Sequence, residues 1–79
     1  MGQENLTETE RRVIDILVGT GVAGENEAVY AVDRAMGWAT SESRKFIDGL
    51  VQRGLVHNVP IVRDGFAYDP RWQWKEGTR

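Results

Sequence analysis

"GWATSESRKFIDGLVQRGLV", residues 37–56, decides the fold of this 79-residue chain. At about 100° per residue, Phe46, Ile47, Leu50 and Gly54 gather on one side of a helical wheel, with Val51 at the margin. Ser41, Lys45, Asp48, Gly49 and Gln52 lie opposite, and Arg44 sits on the border. The pattern predicts a helix over 40–53, capped by Thr40 or Ser41, with one face on a core and the other directed outward. Gly49 lies inside it at a cost of about 0.5–1 kcal/mol relative to alanine and is read as slack.

Outward toward the N-terminus, only "GWA" separates this helix from an amphipathic run over 26–36. That run opens on Asn26, carries Val29, Val32 and Met36 on one face and stops at Gly37, a residue suited to a left-handed C-terminal position. So short a link makes the two helices cross steeply, as in a helix-turn-helix, with Trp38 anchoring the turn under the later helix. Before it, "TETE" at 7–10 has the spacing of a capping box, and Val13, Ile14, Leu17 and Val18 continue as one stripe. A first helix over 7–18 follows. It ends at "GTGVAG", whose glycines at 19, 21 and 24 have no lysine after them and form an interhelix turn, not a phosphate loop. Residues 1–6 are expected to be disordered.

Toward the C-terminus, "RDGF" reads as a tight turn with Asp64 and Gly65 in the two positive-φ sites of a type I′ loop, closing a hairpin over 55–74. Pairing Arg63 with Phe66 sets Ile61 opposite Tyr68, Val59 opposite Pro70, His57 opposite Trp72 and Leu55 opposite Trp74. Pro70 then falls where the ladder needs an N–H, so regular pairing is expected to stop or bulge near Val59 and Pro70.

The whole is one α+β domain over 1–79. The chain has no cysteine, which excludes a disulfide framework, a thiolate metal site and a thiol nucleophile. It has no apolar run long enough to cross a bilayer, and its start lacks the features of a signal peptide, so a cytoplasmic protein with no membrane partner is expected. Gly2 suggests lipidation, but Leu6 stands where a myristoylation signal wants Ser or Thr. Net charge is −2, unevenly spread. Residues 1–33 carry two basic and seven acidic side chains, a net −5, whereas residues 34–79 carry eight basic and five acidic, a net +3. Such asymmetry directs one face at an anion and the other at solvent or a partner.

Three helices followed by a two-stranded wing is the winged helix-turn-helix plan. "LTETERRVIDIL", "GWATSESRKFIDGLVQRGLV" and "RDGFAYDP" together resemble the DNA-binding domain of penicillinase-repressor-type regulators. The family's LT-x-x-E opening, GW turn, LDRLV-x-KGLV helix end and DGRAYxYxP wing all have counterparts within roughly 6–70. Glu42 and Ser43 replace a common Thr-Val pair, and Gly49 replaces an Arg. The resemblance implies a small transcriptional regulator of double-stranded DNA, with Thr40, Ser41, Arg44 and Lys45 facing the major groove and Arg63 at the wing tip. Side chains of these types bind phosphate or read base edges. The alternative is that they are solvated polar residues, and that the domain is a protein-docking adaptor that does not bind DNA.

No catalytic constellation is visible. His57, the only histidine, has no metal or catalytic partner at motif spacing and is placed by the register beside Trp72. An enzyme, a metal and a cofactor are therefore not expected. The family's C-terminal dimerisation helices have no counterpart. Trp72 and Trp74, alternate residues with more aromatic area than a small core absorbs, are expected to form a homodimer interface.

Overall fold

A computed structural model of the chain describes residues 6–63 and 66–77, of which 62, 63 and 66–70 are described as strand backbone. The order is α1 (Glu8–Gly19), α2 (Glu27–Met36), α3 (Thr40–Gln52), β1 (Val56–Arg63) and β2 (Phe66–Glu76). This is the winged-helix layout, three helices followed by an antiparallel hairpin. Among the described residues no helix is long and apolar enough to cross a membrane.

Each helix begins or ends where local chemistry directs it. At α1 the capping box is complete: the Glu10 N–H donates to Thr7 Oγ1 at 3.0 Å and the Thr7 N–H to Glu10 Oε1 at 2.9 Å. Two of the orphan donors near the helix start are thereby satisfied. Leu6, just before the box, packs against the core; residues 1–5 lie outside the described residues. Gly37 closes α2 at φ 71°, and both its N–H and that of Trp38 donate to the Asp33 carbonyl. At the end of α3, Gly54 adopts φ 75°. Its N–H donates to Val51 O and that of Leu55 to Leu50 O, the paired bonds of a Schellman motif.

One expected cap is replaced and another occupies its position without its side-chain bond. Ala39, extended and without a side-chain bond, is the N-cap of α3, so Thr40 is already inside the helix. Asn26 occupies the N-cap of α2, but its side chain makes no capping bond. Both polar side chains are engaged elsewhere, as described below.

The helices and hairpin converge on one apolar cluster. Val13, Ile14 and Leu17 come from α1, Ala28, Val29 and Val32 from α2, Ile47 and Leu50 from α3, and Val56 and Trp74 from the hairpin. Trp38 and Phe46 pack on its edge with ring centroids 5.1 Å apart and planes tilted by 47°. Trp38 therefore anchors the turn beneath α3. Ser43, one turn before Ile47, is fully buried although polar.

The hairpin departs from its expected register. Arg63 pairs with Phe66 as expected, but the next pair is Ile61 with Arg71, so the chain advances two residues on β1 and five on β2. The segment that absorbs the surplus contains Pro70, which has no N–H to give to a ladder. The slip is odd, and an odd slip turns every later side chain to the opposite face. Val59 pairs with Gln73, His57 with Lys75, Pro60 with Trp72 and Asn58 with Trp74. The pairs Ile61–Tyr68, Val59–Pro70, His57–Trp72 and Leu55–Trp74 do not form. Both tryptophans lie on the inner face with Val56, while His57 is exposed beside Lys75 on the outer face. The Asp64–Gly65 turn lies outside the described residues. Beyond the hairpin, Ala23 and Trp72 exchange two backbone bonds of 2.9 and 2.8 Å, adding the α1–α2 connection to the sheet as a single bridge.

Exposed ion pairs tie the layers at their ends. Arg53, just after α3, donates to Glu10 Oε2 at 2.7 Å, and Arg11 bonds both Glu76 and Asp15. The Arg53 guanidinium, followed by the Thr7 N–H, holds the Glu10 carboxyl below its ordinary value of 4.5. A depressed folded-state value contributes stability that is present above the unfolded value and lost as pH falls through the folded one. The urea midpoint is therefore expected to decline on acidification below about pH 4.5. Glu10→Gln should be less stable at pH 7 and decline less steeply, the two curves converging in acid. Parallel curves would refute this role for Glu10.

Gly49 tests local propensity without tertiary interference. A Cβ there would meet no heavy atom within 4 Å, in keeping with the reading of this glycine as slack. Gly49→Ala is expected to stabilise the domain by about 0.5–1 kcal/mol. A thermal melt showing no gain would mean that the backbone at this position is not relaxed helix.

Candidate nucleic-acid interface

The outer side of α3 is built by the packing of its inner side. Ile47 and Leu50 are buried in the shared apolar cluster and Ser43 is buried one turn before Ile47, so Ser41, Glu42, Arg44, Lys45 and Asp48 are exposed. Ser41 and Lys45 are separated by four positions, one above the other on the helix surface. Neither makes a hydrogen bond or ion pair to another described residue. They are the two expected groove residues whose polar groups are uncommitted.

The other expected residues are placed differently. The Thr40 hydroxyl donates to Asp33 Oδ2 at 2.5 Å across the turn and is half-buried, so it braces α3 on α2. Arg44 Nη2 donates to Asn26 Oδ1 at 2.9 Å, joining the middle of α3 to the start of α2. Arg63 ends β1, on the strand that leads to the wing tip; its side chain lies outside what is described. On the hairpin's outer face, Arg71 and Lys75 are exposed near the wing base.

Asp33 is the residue that sequence reading missed. Its carbonyl receives the Gly37 and Trp38 N–H groups, while its carboxylate receives the Thr40 hydroxyl and is acted on by the buried Ser43 hydroxyl. One residue thus sets how α3 leaves the three-residue turn. The Ser43 and then the Thr40 hydroxyl lower the Asp33 pKa from its ordinary value of 3.8, with Arg44 and Arg34 adding to the effect. The available signal was Asp33 seven residues before Thr40, with a glycine turn between them. That spacing becomes meaningful only once the helices cross.

The tryptophans expected at a dimer interface are also placed. Trp74, 9% exposed, belongs to the apolar cluster of its own protomer, and Trp72 is half-buried with its backbone bonded to Ala23. The ring expected to recruit a partner is largely covered within one chain.

The electrostatics of the outer face are mixed. Lys45 and Arg44 share it with Glu42 and Asp48, and a carboxylate in the first turn of a helix is favoured by the macrodipole but repels phosphate. No group of three or more His, Cys, Asp or Glu residues suited to a metal ion occurs among the described residues. Comparison of the chain with protein-family models, with curated proteins and with solved structures returns no match.

Proposed function

We propose that the domain is a small sequence-specific DNA-binding regulator whose α3 enters the major groove. The observation that carries this reading is the outer face of α3. It projects Ser41 and Lys45 with free polar groups, while a short turn braced by Asp33 holds the helix at an angle to α2. The net +3 of residues 34–79 supports it. Ser41 and Lys45 lead, Arg44 joins them on leaving Asn26, and Arg63 contacts the neighbouring backbone or minor groove. Thr40 serves as a brace and not as a contact.

The test is fluorescence anisotropy on random-sequence duplex at low salt, followed by selection of preferred sites and amide shift mapping. Shifts are expected at residues 41–48. Lys45→Ala should cost about 1–3 kcal/mol and relax preference at one base position if it reads a base edge. Arg63→Ala should weaken all sequences alike. The reading fails if no site is enriched and the amides of 41–48 do not move.

The competing function is protein docking. Glu42 and Asp48 on the outer face of α3, the net −5 of residues 1–33 and the exposed Val22 and Tyr30 favour it. A protein partner that shifts the same amides, with no response to DNA, would establish it.

A further inference from the structure

Between the start of α2, the middle of α3 and the inner face of the hairpin lies a cleft of about 190 Å³. An apolar cavity of about 150 Å³ is large enough to take up benzene, so this one accommodates a ring or a short chain. Val29, Ile47 and Trp74 contribute its apolar part, and Glu25, Asp48 and Arg44 bring charge to it.

The charges do not cancel one another. Arg44, on the same helix as Asp48 and one turn before it, donates instead to the neutral Asn26 amide. The ion pairs among the described residues engage Glu10, Asp15 and Glu76, and neither Glu25 nor Asp48 is in one. Neither carboxylate facing the cleft thus has an ion-pair partner, and the cation in the lining, Arg44, is turned to Asn26. Low-dielectric walls focus such a field, and an indole among the walls favours a cation further. With two carboxylates against one guanidinium the lining is net negative, which disfavours an anionic occupant, and a neutral apolar one would leave the carboxylates as they are.

We propose that this cleft binds a small organic cation with an apolar body, a primary amine attached to a group of about benzene size. The ammonium lies between Glu25 and Asp48, and the apolar body rests on Trp74, Ile47 and Val29. The site involves no DNA and stands apart from the function proposed above. The two meet at Arg44, and only if α3 reads DNA does an occupant become an effector.

The experiment is a two-dimensional amide titration of the whole chain, without DNA, using benzylamine as the probe and benzyl alcohol and benzoate as its neutral and anionic counterparts. Benzylamine is expected to give saturable shifts at Glu25, Asn26, Ile47 and Asp48 and at the Trp74 indole N–H. Benzyl alcohol should bind more weakly and benzoate leave these signals unmoved. Glu25→Gln and Asp48→Asn remove charge from exposed side chains, so the fold should be kept. Each should weaken benzylamine by about fivefold or more, the scale of losing a unit charge near a protein surface. The proposal is overturned if benzoate shifts the same signals as strongly, if benzylamine gives unsaturable shifts spread over the acidic residues of α1, or if both variants bind it as the wild type does. Since no arm contains DNA, the result is independent of whether α3 recognises a duplex.

Discussion

Replacing Trp74 by alanine is expected to lower the unfolding free energy by about 3–5 kcal/mol, the range for removing a large aromatic from a core. Trp74 closes the apolar cluster from the hairpin side, with only 9% of its surface exposed. It packs in a cluster that includes Val29 and Ile47, so its removal leaves a void bordered by two helices as well as the sheet. At about 0.05–0.15 kcal/mol per residue, a domain of this length has roughly 4–12 kcal/mol in all. The variant should therefore lose a large share of the total, and at the lower end of that range be unfolded at 37 °C. Urea denaturation at several protein concentrations checks both the size and the origin of the effect. A loss within one protomer is independent of concentration, whereas a residue acting mainly through a dimer would give a midpoint that rises with concentration. Trp72→Ala, at a half-buried position, should cost less. A loss below about 1 kcal/mol for Trp74→Ala would mean that the hairpin does not seat on the helices as described.

The second large effect expected is on DNA affinity as salt is raised. If α3 and the wing neutralise about three to five phosphates per protomer, the log–log slope should be near −3 to −4. Between 50 and 200 mM salt the association constant would then fall by about 60- to 250-fold. Glu42 and Asp48 lie on the same face as Lys45, so affinity for random sequence should be weak even at low salt. Lys45→Ala should reduce the slope by about one. The Asn26–Arg44 bond adds a distinguishing feature: Asn26→Ala frees the guanidinium and should strengthen DNA binding if Arg44 acts as a contact. A slope near zero, or affinity unaffected by Lys45→Ala, would remove α3 from the DNA interface and leave the docking function.

What the sequence by itself determined about this protein lies within a few residues along the chain. The Thr7–Glu10 capping box, the glycine ends at 37 and 54, the inward stripes of three helices and the Arg63–Phe66 pair that closes the hairpin depend on interactions three to five residues apart. Such interactions form in the local geometry that the pattern itself creates. Pro70 also announced a break in the ladder, because a missing N–H is a property of the residue alone.

Tertiary structure decided the rest. Pro70 could indicate that pairing breaks, but not that three extra residues of β2 would be absorbed there. That number depends on which face of the strand buries Trp74, and hence on helices more than 20 residues away in sequence. A non-local contact likewise takes the Asn26 side chain away from its capping bond. Helix crossing brought Arg44, 18 positions later, within 2.9 Å of its side chain. Crossing likewise brought Thr40 to Asp33 and buried Ser43 beside that carboxylate. Polar side chains near a helix end have several partners of comparable strength, and the backbone nearby is only one of them. Which partner wins is settled by packing of the apolar faces, whose burial outweighs any single hydrogen bond. The outward face of α3 was legible because it is the complement of an apolar stripe, while the commitments of Thr40 and Arg44 on it were not, because they are contacts between helices.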